Sequence, residues 1–269
     1  YSAYDARGDA HTINTKTINH QTGVAVYTSE TISTNRSFDS EHHAVNAEEW
    51  QYLVNPDGSR VSSSPDPISV TEKRYSGFES GVPALEVTAT YSDKTKTLVI
   101  GVTEVRNSSI GADGFVGRTI VTKYSGRAAS DTMDGAITGT GLLSTQAISN
   151  SNPNNSSNPV TQDIHSPYFN LDGSILGESF EKRVNTYDVY QRTTHVVVDS
   201  FTDSGYLTKK GSQDIDYSAT GFDAYGNNTL VTVKTYDSTG TFSKVTVNEN
   251  TYGSILAAIK GNATLVTST

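Results

Sequence analysis

The chain has 269 residues, with 20 Lys plus Arg against 29 Asp plus Glu and a net charge of −9. That balance argues against a nucleic-acid partner or an anionic membrane surface, because both need a basic face and the few cations are scattered along the chain. The absence of Cys excludes disulfides, thiolate metal sites and thiol catalysis.

One Met, one Trp, and Ser plus Thr at about a quarter of the residues fit a secreted or surface protein better than a cytoplasmic enzyme. No apolar run approaches the roughly 18 residues of a membrane helix. Residues 1–5 lack the basic and apolar regions of a signal peptide, as expected of a mature form or an excised fragment.

In chain order, period-two alternation marks strands at 12–18, 24–32 and 86–91. Around residue 100, Leu98, Ile100 and Val102 are expected on one face, with Thr97, Val99 and Thr103 on the other. Further strands are expected at 118–124, 194–198, 229–236 and 242–247, filled by β-branched Thr and Val that suit a pleated surface. Turn signals separate them: Asn55-Pro56-Asp57-Gly58, Leu171-Asp172-Gly173 and Asp237-Ser238-Thr239-Gly240.

Helical signals are short. Asn46 with Glu49 three residues on forms a capping box, which predicts a helical turn over 47–53 with Trp50 and Leu53 on one side. Residues 254–260 fit a helical turn or a strand. Two stretches suggest boundaries: Ser62-Ser63-Ser64-Pro65-Asp66-Pro67 reads as a connector between packed units, and 149–159 as an exposed Asn/Ser/Pro loop.

No metalloprotease, nucleophile-elbow, P-loop or EF-hand pattern occurs. Gly139-Thr140-Gly141 lacks the third Gly and the helix of a dinucleotide turn. His42 and His43 are adjacent, so on a strand they would point to opposite faces and could not share a metal; a solvated pair is expected. The carboxylate pairs Asp199/Asp203, Asp214/Asp216 and Asp131/Asp134 could serve a glycosidase or Ca²⁺, but turn carboxylates are the simpler expectation. No catalytic, cofactor-binding or metal-binding residue is assigned, and no cofactor is expected. Asn-x-Ser/Thr at Asn35, Asn107, Asn154, Asn155, Asn227 and Asn262 carries little weight in a chain so rich in these residues.

One form recurs. Tyr4-Asp5-Ala6-Arg7-Gly8, Phe222-Asp223-Ala224-Tyr225-Gly226 and Tyr236-Asp237-Ser238-Thr239-Gly240 each give an aromatic, then Asp, then Gly in fifth place. The aromatic ends a strand, Asp bonds turn amides, and Gly takes the positive φ that returns the chain. Such turns resemble those of YD-repeat (RHS-like) shell proteins, although the spacing is irregular and 62–185 offers no clear copy in the sequence.

A longer resemblance lies at both ends. Residues 4–13 with Val24-Ala25-Val26-Tyr27-Thr28, and then Tyr52-Leu53-Val54-Asn55-Pro56-Asp57-Gly58-Ser59, resemble the first half of the D1 domain of bacterial flagellar hook proteins. Residues 221–233, 237–242, Asn248 and 253–259 resemble its returning half. Asp9 stands where Asn is commoner, Val24 where an aromatic is frequent, and the terminal helices of the polymer's inner tube are absent.

The resemblance implies a mainly β fold: a discontinuous D1-like domain of 1–64 plus 215–269, with a second barrel- or sandwich-like β domain inserted at 65–214. It places 4–13 beside 222–242 in one sheet. It further implies an extracellular, non-enzymatic subunit of the flagellar hook, monomeric as a fragment. Its partners would be copies of itself in a helical polymer, other axial proteins and the hook cap, with no nucleic acid and no membrane. A YD-repeat surface or shell protein, an adhesin-type binding module and a glycosidase stay open.

Overall fold

The computed structural model describes residues 2–19, 26–132, 135–170, 173–217, 221–223, 226–253, 258, 263 and 265–268. The chain is mainly β, with sixteen strands among its described residues. In order these are β1 (Ser2–Tyr4), β2 (Ala10–Asn19), β3 (Val26–Phe38), β4 (Ala44–Tyr52), β5 (Ser69–Glu79), β6 (Val82–Tyr91), β7 (Val99–Ile110) and β8 (Val116–Arg127). Then follow β9 (Gly139–Pro153), β10 (Pro159–Phe169), β11 (Ile175–Tyr187), β12 (Thr193–Phe201), β13 (Lys209–Asp216), β14 (Leu230–Tyr236), β15 (Phe242–Thr251) and β16 (Leu265–Ser268).

Every strand pairs with its neighbours in sequence, so one open sheet runs β1 to β16 without a crossover. β2 lies between β1 and β3, and β14 between β13 and β15. The segments 4–13 and 222–242 are therefore not sheet neighbours. The ladders of the described residues also lack the strand pairing that a domain of 1–64 plus 215–269 calls for. By their contacts the residues group into two compact units, one of 1–18, 25–145 and 169–174, the other of 19–24, 146–168 and 175–269.

One hairpin form generates this meander. At 5–9, 39–43, 55–59, 111–115, 154–158, 170–174, 188–192, 223–227 and 237–241, the first residue's amide donates to the fifth residue's carbonyl, and the fourth residue's amide to the first's carbonyl. The fourth residue has positive φ in all nine, from 58° at Ser157 to 89° at Gly8. This is a type I turn followed by a left-handed residue, the three-residue hairpin loop. The sequence displays the aromatic-Asp form at only three of the nine. Of the other six, Asp39 and Asp188 open two, after Phe38 and Tyr187, and Asn or Gly opens the rest; His42, Ser157 and Gln191 hold the left-handed position without glycine. Three copies fall inside 62–185.

Strand ends carry bulges, and one of them corrects the expected faces of β7. Thr90 pairs with Gly101 but Tyr91 with Val99, so Ile100 is the extra residue and the alternation slips there. Val99 turns in beside the buried Val102, while Leu98 and Ile100 face solvent.

Two further expectations change. The predicted helical turn at 47–53 is strand β4, because Glu48 and Glu49 find cations on neighbouring elements and Asn46 lies in the ladder with β5. The stretch 149–159 is not a loop throughout: β9 continues to Pro153 and β10 begins at Pro159, with the turn at 154–158 between them. Residues 254–260, apart from Ala258, lie outside the described residues, as do Val24, Ala25, Asp134, Leu171 and Asp172.

The core of the first unit is small. Val70, Val87, Ala89, Tyr91, Val102 and Ile137 form it, with Trp50, Leu85, Val99 and Tyr124 at its margin.

The turn geometry is testable at two glycines. Gly240 has φ 85° and open space where a Cβ would stand, so Gly240→Ala should cost only the left-handed penalty of about 1–2 kcal/mol. Gly58 has φ 82°, and its Cβ would meet ring carbons of Tyr27 at 2.9–3.1 Å, so Gly58→Ala should cost clearly more. Urea unfolding of the two variants checks the order; equal losses would contradict it.

Candidate functional site

The chain carries a four-strand repeat that the sequence does not display. The third strands of successive quartets begin at Val26, Val99, Ile175 and Phe242, and the fourth at Ala44, Val116, Thr193 and Leu265. In each quartet an Asn near the end of the third strand donates its side-chain amide to a carbonyl within two residues of the start of the second. Asn35 reaches Ala10 at 2.9 Å, Asn107 reaches Pro83 at 3.0 Å, Asn185 reaches Pro159 at 3.1 Å and Asn250 reaches Asn228 at 2.9 Å. Two quartets add a second donor to the same carbonyl: Tyr187 Oη to Pro159 at 2.9 Å and Tyr252 Oη to Asn228 at 3.1 Å. Each clasp ties the start of one hairpin arm to the end of the next.

The same register holds five residues before each Asn. Glu30, Val102 and Phe180 stand there in the first three quartets, and all are buried. The connector following the fourth strand covers each one. Arg60 bonds Glu30 and lies 3.8 Å from the Tyr52 ring centre, Ile137 joins the cluster of Val102 and Tyr124, and Tyr206 stands edge-on to both Phe180 and Phe201.

The densest group of charges lies in the first unit. Glu48 on β4 and Glu72 on β5 are cross-strand partners, 5% and 3% exposed. Like charges directly opposite repel, so the pair needs a counter-ion between them. Lys96 supplies it, with Nζ 2.7 Å from Glu48 Oε2 and 2.8 Å from Glu72 Oε1. Its backbone is left-handed, φ 58°, in the turn between β6 and β7, where Asp93 accepts the amides of Thr97 and Leu98. Arg36 and the Trp50 indole complete Glu48; Arg127 and Tyr91 Oη complete Glu72. Arg127 also meets Asp131 at 3.2 Å, so three carboxylates face three cations.

Burial, the largest single influence on Glu48 and Glu72, pushes their carboxyls up, but Lys96 and the other donors outweigh it and hold both below the ordinary Glu range. Burial opposes the charge of Lys96 too, and the two carboxylates raise it above its usual value. Every carboxylate oxygen of this pair has a donor. A glycosidase acid needs a raised pKa, so the lowered pair does not fit that role.

The residues singled out in the sequence scatter. His42 Nδ1 lies 2.7 Å from Asp9, while His43 Nδ1 lies 3.1 Å from Asp39 and its ring stacks on Phe78 at 4.2 Å. The adjacent imidazoles thus serve two different carboxylates in a turn. Asp199 meets Lys209 at 2.7 Å, Asp203 caps the turn amides of Gly205, Leu207 and Thr208, and Asp214 meets His195 at 2.9 Å. Asp131 is taken by Arg127 and the Thr138 amide. The backbone amides of Leu207 and Thr208 foremost hold Asp203 low, as that of Asp9 does Asp5 and the Thr239 hydroxyl does Asp237. Gly139-Thr140-Gly141 opens β9, with no helix behind it. Among the described residues no group of three or more His, Asp or Glu is placed to hold a metal.

Sequence reasoning missed the clasp asparagines, Lys96 and Arg127. Asn185-Thr186-Tyr187 and Asn250-Thr251-Tyr252 were the available signal.

No protein-family model and no curated protein matches the chain. Among solved structures it is similar to a chain in a mutant form of the Photorhabdus luminescens Tc holotoxin pore, at 12% identity and a TM-score of 0.18. The match covers 99% of this chain and 18% of that one, and a likeness so slight carries no argument.

Two predictions follow from the geometry. Lys96→Met leaves Glu48 facing Glu72 and should cost about 3–5 kcal/mol, the range for breaking a buried ion pair. Replacing all three by apolar residues of similar volume should recover much of that loss in urea unfolding; no recovery would contradict the assignment. The second concerns pH. Because Glu48 and Glu72 are lowered from 4.5, the unfolded chain binds more protons in acid, and the stability they contribute is present above about pH 4.5 and lost as pH falls through their folded values. Unfolding free energy measured against pH should fall there, and Glu72→Gln should flatten the fall.

Proposed function

We propose that this chain is a non-catalytic structural segment of an extracellular surface or shell protein, similar in kind to the YD-repeat (RHS-like) proteins. The observation that carries the reading is the sequential sheet of hairpins, with one turn form at nine reversals and one Asn clasp in each of four quartets. A chain built this way extends by adding quartets, since each presents a strand edge to the next. Its charge network is internal, and its turn carboxylates are occupied by the turns themselves. Both are features of a scaffold.

A second reading is the flagellar hook subunit, favoured by the motifs at the two ends. In that reading the chain belongs to a self-assembling helical polymer whose heterologous contacts extend without closing, with other axial proteins and the hook cap as partners. It calls for 1–64 and 215–269 to close as one domain around 65–214, and the sequential ladders lend it no support.

Immunogold electron microscopy of the source cells with antibody to this chain separates the two. Gold over the cell surface or on a shed particle is the expected result. Gold confined to a short curved segment between envelope and flagellar filament would overturn the shell reading in favour of the hook.

A further inference from the structure

The sheet face that carries the Asn185 clasp in the second unit is concave. A concavity of about 440 Å³ opens there over β10 to β13. Cross-strand pairing sets its rows: Asn185, Val196 and Ile215 stand side by side, then Arg183, Val198 and Gln213, then Glu181, Ser200 and Gly211. A second concavity, of about 640 Å³, shares Glu181 and Gln213 with the first and continues over Ser179, Ser200 and Gly211, whose small side chains leave it open. Together they form a groove along β11 from Ser179 to Tyr187, about 26 Å long at roughly 3.3 Å per residue.

The floor is apolar and the walls are held in place by their own hydrogen bonds. Val196 and Val198 are both buried. Asn185 Nδ2 donates to Gln162 Oε1 at 3.0 Å, Gln162 Nε2 to Asn150 Oδ1 at 2.9 Å, and Tyr187 Oη to the Pro159 carbonyl at 2.9 Å. Arg183 Nε and Nη2 both donate to Glu181 Oε2, at 3.1 and 2.7 Å, so guanidinium and carboxylate cancel. Among the described residues, the Gln213 amide and the Tyr217 hydroxyl have no protein partner, and both line the groove. The arrangement is a rigid frame with unused donors and acceptors inside it.

We propose that this groove binds a neutral oligosaccharide. A sugar hydroxyl both donates and accepts, as the Gln213 amide and the Tyr217 hydroxyl do. The C–H face of a sugar ring suits the Val196 and Val198 floor and the rings of Tyr187 and Tyr217 at one end of the groove. Two carboxylates, Glu178 and Glu181, stand against two cations, Arg183 and Lys210, so the lining favours neither sign of charge. An extended peptide fits less well, because it would add to a sheet edge, and β11, β12 and β13 are interior strands already paired on both sides. The site rests on this face of the second unit and not on the shell reading, so either can fail alone.

Titration calorimetry of the 269-residue chain with neutral hexasaccharides of glucose, mannose and N-acetylglucosamine tests the proposal. At least one should bind. Gln213→Ala and Tyr217→Phe should each weaken it about three- to tenfold, the effect of one lost hydrogen bond. Thr186→Ala, on the opposite face of β11, should leave the affinity unchanged. Gln213 and Thr186 are exposed and Tyr217→Phe removes one hydroxyl, so all three variants keep the fold, which the urea midpoint verifies. No binding by any of the sugars at millimolar concentration would overturn the proposal, as would binding that the Gln213 and Tyr217 variants leave untouched. Binding confined to sulfated or uronate oligosaccharides and lost in high salt would mark an anion surface in its place. Binding of casein, an unfolded polypeptide, weakened by the same variants while the sugars fail, would assign the groove to peptide and overturn it equally.

Discussion

The structure depends on how the chain reverses direction. The sixteen strands among the described residues follow one another in the sheet with no crossover to lock their order, so the register of each strand is set by the turn before it. The turn used nine times fixes that register with two backbone hydrogen bonds and one left-handed residue. Where Asp or Asn opens it, the side-chain oxygen takes up amides the turn would leave unpaired, as Asp237 does for Thr239 and Thr241 at 2.8 and 2.9 Å. The bonds of the turns lower the carboxyls of Asp5, Asp203 and Asp237, which ties the negative charge of the chain to its architecture.

A single sheet must also find something to bury against. Here the connectors do it, crossing back over the strands they leave. The three solutions share a position and differ in chemistry, from the Arg60–Glu30 pair through Ile137 to Tyr206. Such a site tolerates substitution if cover and covered change together, since burial needs a matched partner and not a particular residue. The Glu48–Lys96–Glu72 network is the costliest form of the same answer: two carboxylates enter the interior only because Lys96, Arg36 and Arg127 arrive with them.

The strands were legible in the sequence, and the repeat was not. Alternation located β2, β6, β8, β12, β14 and β15 because half-buried strands leave a period of two in the choice of Thr and Val. It failed at β7, where the extra Ile100 slips the pattern, and at β4, where a capping-box pattern sits in a strand. Local propensity there yields to cross-strand cations that no window of ten residues contains. The quartet was hidden for a related reason. Its defining bond needs one Asn and a backbone carbonyl, which any residue provides, and its buried position accepts Glu, Val or Phe. The charge network was illegible because Glu48, Glu72, Lys96 and Arg127 meet only through the register. The aromatic-Asp turn was visible in three copies and stood for nine, since His42, Ser157 and Gln191 replace the glycine that marks it.

The central claim is that each strand is held between its neighbours in sequence, and cross-linking in the cysteine-free chain tests it most directly. Thr232 on β14 stands opposite Asp216 on β13 and opposite Val247 on β15. Facing residues of antiparallel strands lie about 4.5–5.5 Å apart between Cα atoms, within the span of a disulfide. The account predicts that the pairs Asp216→Cys with Thr232→Cys, and Thr232→Cys with Val247→Cys, each close within one chain under mild oxidation. If neither pair closes in the folded protein, the sequential sheet is wrong, and the repeat and its covers fall with it.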